Sequence, residues 1–103
     1  MTEGSNTIRV IVFQDDDMWV AQCLEYDIGA QAADVDTLNA RLMVALRAEF
    51  KESMERHGKP FVGIDRAPER FQAMWERRAR SFDVSPAPWS RDKSLNLDFG
   101  LVA

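Results

Sequence analysis

Three consecutive aspartates divide two apolar runs, and that break constrains the fold more than any other feature of the chain. Ile8-Arg-Val-Ile-Val-Phe-Gln14 precedes Asp15-Asp16-Asp17, and Met18-Trp-Val-Ala-Gln-Cys-Leu24 follows it. Aspartate favours turns, and three unpaired carboxylates are too costly to bury, so the chain reverses at the triplet. The two runs then pair as a hairpin. Side chains alternate along a strand, so Ile8, Val10 and Val12 share one face while Ile11 and Phe13 share the other. Apolar residues on both faces mark a central strand covered on each side. Trp19, Val20 and Cys23 are the packing residues expected of the second strand.

The rest of the chain supplies further elements in order. Ile28-Gly-Ala-Gln-Ala-Ala33 reads as a third strand whose small side chains suit close approach of another backbone. Asp36 or Thr37 is placed to cap a helix. Leu38, Leu42, Ala45, Leu46 and Phe50 recur at helical spacing, with Met43 and Met54 on the flanks. Gly58 and Pro60 end that helix. Pro68 fits the first turn of a second helix, whose stripe is Phe71, Met74, Trp75, Arg78 and Phe82. Ser85-Pro-Ala-Pro-Trp-Ser90 is an extended connector, since two prolines oppose helix there. Leu95-Asn-Leu-Asp-Phe-Gly-Leu101 alternates with period two and reads as a half-buried strand. A last strand must pair with the first sheet to satisfy its backbone groups.

The expected fold is therefore α+β: a small antiparallel sheet in the order β-β-β-α-α-β, with the helices packed on one face as a two-layer sandwich. The 103 residues fit one domain, 1–103, with a helix-containing segment inserted at 61–93. Hydrophobic residues make up 46% and charged residues 29%, which is globular composition. A formal charge of −4 argues against a general nucleic-acid binder. The single cysteine, Cys23, has no partner for an internal disulfide, which fits a reducing compartment. No apolar run approaches the ~20 residues that span a bilayer, and the polar N-terminus lacks signal-peptide features. The expected location is the cytoplasm, without membrane association.

Residues 8–46 resemble the N-terminal domain of HicB-type antitoxins. The matching pieces are Val10–Gln14, Asp15–Asp17, Trp19–Leu24, Gly29–Ala33 and Asp34-Val35-Asp36-Thr37-Leu38, joined by the late strand. The chain departs from the family's Pro-Glu-Leu-Pro step after the second strand, where it has Leu24-Glu25-Tyr26-Asp27, and in the insertion at 61–93. The resemblance implies a compact, partly RNase H-like fold and binding of a small toxin partner. It does not imply DNA binding, because no helix-turn-helix or ribbon-helix-helix stretch follows the last strand within these residues.

Several chemistry-bearing residues have simpler structural roles. Asp15–Asp17 lack the alternation, central glycine and late glutamate of a calcium loop. Glu25, Asp27, Asp34 and Asp36 are the carboxylates a two-metal nuclease would require, but Asp34 and Asp36 already have a role near a helix N-terminus. His57 sits at a helix end, and Cys23 lies within an apolar strand as a packing thiol. No catalytic, cofactor-binding or metal-binding residue is assigned, and the chain is expected not to be an enzyme and to need no cofactor. Arg66, Arg70, Arg77, Arg78 and Arg80 gather positive charge around the second helix, beside Trp75, as a nucleic-acid or acidic-protein contact would. Trp89 stands in the connector as a candidate anchor. Trp75, Arg77, Arg78 and Trp89 are thus the candidate partner-binding residues. The expected function is protein–protein association with a small toxin-like protein, and small edge strands also favour a homodimer. The alternatives are nucleic-acid binding through the second helix and, behind it, a metal-dependent nuclease.

Overall fold

The computed structural model describes residues 6–81, 85–86 and 95–102. Among these described residues, eight elements follow in chain order. Strands β1 (Asn6–Asp15), β2 (Met18–Cys23) and β3 (Gly29–Ala32) lead into helix α1 (Val35–His57). Helix α2 (Glu69–Glu76), two short strands, β4 (Arg80–Ser81) and β5 (Ser85–Pro86), and strand β6 (Leu95–Leu101) follow. The α+β class and the β-β-β-α-α-β order of the long elements are as expected.

The hairpin turns at the aspartates. Asp15 pairs with Met18, and Asp16 takes a left-handed φ of 55°, which aspartate tolerates better than most residues. The strands lie in the order β3-β2-β1-β6-β4, with β5 also on β6. The sheet is mixed, not antiparallel as expected. β6 runs parallel to β1, from Asn6 opposite Leu95 to Val12 opposite Leu101. Two helices intervene before β6, and such a crossover delivers a strand in the same direction as the first.

The helices also pack on opposite faces, not on one. Ile8, Val10, Ala21, Cys23, Ala32 and Leu97 form one core with Leu38, Leu42 and Leu46 of α1. Ile11 and Leu24 form a second with Phe71 and Trp75 of α2, and Phe13 packs against it. Both faces of β1 are apolar, so each needs a cover. The link between the helices makes the change of side. Gly58 ends α1 with a φ of 70°, its N–H bonding the Met54 carbonyl. Ser53, buried near the end of α1, donates its hydroxyl to the Lys59 carbonyl and accepts from the Val62 N–H. The Asp27 N–H then donates to the Asp65 carbonyl, and the Ala67 N–H to that of Leu24. These bonds carry the chain past the end of β2 and deliver α2 to the far face.

Helix α1 begins at Val35, earlier than the expected cap at Asp36 or Thr37. Its cap is Asp34, which accepts from both the backbone N–H and the hydroxyl of Thr37, at 2.8 and 3.0 Å. Asp36 falls in the first turn, where the helix dipole favours negative charge. Helix α2 is correspondingly shorter than expected. The Arg78 guanidinium turns back to the Trp75 carbonyl, and the Ala79 N–H bonds Leu101, so the chain leaves the helix for the sheet edge. Phe82 and Trp89 lie outside the described residues.

Candidate functional site

The sheet face beneath α1 is only partly covered. On β3, Ala30 and Ala32 point toward the helix, and small side chains let a backbone approach closely. Helix α1 accordingly lies over β3 and β2, and the Arg41 guanidinium reaches across to the Gln31 carbonyl at 2.8 Å. Ile8, Val10 and Leu97 are buried in the α1 core, but the end of that face formed by Val12, Trp19, Phe99 and Leu101 is only half-buried. There a groove of about 350 Å³ opens. Its floor is Val12, Trp19, Phe99 and Leu101, and its wall is Leu38 and Leu42. Val35, half-exposed at 50%, forms the rim with Asp36 and Asn39.

Acidic residues gather at this end of the sheet. The Asp15–Asp17 turn lies one residue pair beyond Gln14 opposite Trp19, and Asp34 and Asp36 open α1. All five are exposed. The Thr37 backbone N–H, and then its hydroxyl, hold the Asp34 carboxyl below its ordinary value of 3.8. The ion pairs among the described residues, Arg9 with Glu25 and Arg56 with Glu52, involve none of these aspartates.

The residues proposed from sequence as partner contacts are distributed differently. Trp75 is 5% exposed and is a core residue. Arg78 stacks on its ring at 4.2 Å, and Arg9 lies 5.8 Å from the ring centre. Gly100 provides the space beneath, since a Cβ there would stand 2.8 Å from Trp75. The expectation that Trp75 presents a surface is therefore corrected: the ring covers β6, and Arg78 covers the ring. Arg77 is exposed at the C-terminal end of α2. Of the five arginines read as one basic helix, only Arg70 lies within α2, and its guanidinium sits over Phe71 at 4.6 Å. Helix α2 itself therefore carries one of the five.

Glu25 and Asp27 have structural partners, and Cys23 is buried. Glu25 accepts from the backbone N–H and the Nε of Arg9, at 2.7 and 2.6 Å. Asp27 accepts from Gln22 at 3.0 Å. Among the described residues, no three His, Cys, Asp or Glu side chains gather as a metal site requires. Burial, helped by the Glu25 carboxylate, pushes the Cys23 thiol up to about 12, and a neutral thiol is a poor nucleophile. No described helix is long and apolar enough to cross a membrane.

The groove escaped the sequence reading because Val12, Phe99 and Leu101 look there like ordinary strand residues. The available signal was the run of small residues in the third strand, which sets where α1 can sit. No family model, curated protein or solved structure matches the chain.

Proposed function

We propose that this chain is a non-enzymatic α+β domain, HicB-like over residues 8–46, that works by protein–protein association with a small, toxin-like protein. One observation carries the reading: an apolar groove with half-buried Trp19, Phe99 and Leu101 at its base and half-exposed Val35 at its rim. Partially exposed aromatic and aliphatic side chains around a concave surface are what an interface anchor fills. The element order behind the HicB resemblance, from the hairpin through β3 to the Asp34-capped helix, supports the same reading.

The test is affinity capture with the immobilised chain beside a Val35→Ser, Leu101→Ser variant. The expected outcome is a protein retained by the first and lost by the second, with circular dichroism of the two alike. Recovery of no partner, together with a strict monomer in solution, removes the proposal.

A further inference from the structure

The groove and the charges at its end belong to one surface. The hairpin geometry places Asp15–Asp17 just past Trp19, and the cap geometry places Asp34 one residue before Val35. Asp36 lines the groove itself. Five carboxylates thus surround one end of an apolar slot. Arg41, the basic residue nearest that end of the helix, is held by the Gln31 carbonyl on the β3 side. Its charge still acts on Asp34, but one guanidinium against five carboxylates leaves negative charge in excess, so a basic segment would be drawn in and oriented where a neutral or acidic one would not.

Building on the association reading above, we infer that the groove takes a basic amphipathic segment of the partner protein. An aliphatic or aromatic side chain of that segment sits on Val12, Phe99 and Leu101. Its lysines or arginines lie over the aspartate turn and the start of α1. The groove selects for an apolar anchor, and the acidic end selects for positive charge around it. Neither alone distinguishes this partner from a generic hydrophobic or cationic one.

The probe is a fluorescein-labelled helical peptide of about 18 residues, leucine on one face and lysine on the other, with a leucine–glutamate counterpart. Binding to the full chain is followed by anisotropy. The leucine–lysine peptide is expected to bind at least about tenfold more tightly than its counterpart. That affinity is expected to fall about fivefold or more between about 50 and about 500 mM NaCl. Asp15→Asn, Asp17→Asn and Asp36→Asn together are expected to remove most of the salt dependence and leave the fold intact, as all three are exposed and none caps α1. Val35→Ser with Leu101→Ser is expected to weaken binding about tenfold at both salt concentrations, through lost apolar contact. If that pair disturbs folding, Val35→Ser alone carries the test, because its side chain is already half in solvent.

Equal affinity for the two peptides, or binding of neither, overturns the inference. So does leucine–lysine binding that Val35→Ser leaves unchanged, because attraction is then charge alone. A concentration-dependent dimer abolished by Val35→Ser also overturns it, making the occupant a second copy. A captured protein that depends on the groove, combined with no charge preference among the peptides, leaves the association reading standing and removes only the basic partner.

Discussion

At the scale of single residues, two positions decide more than their size suggests. Gly100 lies on the β6 face that reads as polar, yet that face is covered there by Trp75. Gly100→Ala sets a methyl against the indole and the Arg78 stem, at 2.8 and 2.7 Å. Overpacking of this kind costs about 1–3 kcal/mol. Urea unfolding should show that loss, and a Gly100→Ala, Trp75→Leu double variant should recover part of it; strictly additive losses would disprove the contact.

Cys23 supplies a pH signature. Its thiol ionises near 9.0 when ordinarily solvated and about 12 in the folded protein. The folded value is raised, so the stability tied to the neutral thiol is complete below pH 9 and is lost as pH climbs toward 12. In that window the slope for one proton is about 1.4 kcal/mol per pH unit. Burial and Glu25 raise Tyr26 above its ordinary 10.0, adding a loss of the same sign. Cys23→Ala should therefore flatten the alkaline fall of the urea midpoint without abolishing it. An unchanged profile would show that the thiol is not protected.

Asp34 acts at the opposite end of the pH scale. Its folded value is lowered, so its contribution is present above 3.8 and fades as pH falls through the folded value.

At the scale of elements, the position of α1 follows from what β3 lacks. Ala30 and Ala32 let the helix settle over β2 and β3, and the groove is the space this leaves beside it. Ala32→Leu should push the helix away from β3, costing about 1–3 kcal/mol by overpacking. It should also alter Trp19 fluorescence, because Trp19 faces Ala32 across the strands. Unaltered Trp19 emission with full stability would mean that β3 does not position the helix.

Phe61 has the complementary role at the other end of α1. It is buried at a φ of 55°, unusual for a bulky residue. Its ring stacks on Tyr26 at 4.5 Å and meets Phe50 at 5.9 Å. Phe61→Ala should cost about 3–5 kcal/mol, read as a lower urea midpoint. A neutral result would show that relief of backbone strain offsets the lost packing.

At the scale of the whole molecule, local signals were legible and long-range ones were not. The aspartate turn, the Gly58 stop and the alternation of β6 are written in adjacent residues. So was the two-faced character of β1, and followed through it would have placed α2 opposite α1. The parallel pairing of β6 and the displacement of α1 depend on residues far apart in sequence, and pattern alone does not relate them. Trp75 illustrates the same limit at the site. Beside five arginines it looks like a surface anchor, and only the bare face of Gly100 shows that it is a lid on the sheet.

The pairing of β1 with β6 also bears on how the chain comes into being. The central strand is made well before its parallel neighbour, which starts at Leu95. A ribosome-bound chain that has completed β1, β2, β3 and α1 still carries one unpaired β1 edge with apolar residues on both faces. Such an edge is a template for pairing with other chains. Fragments ending before Leu95 should therefore be recovered from cells in aggregates.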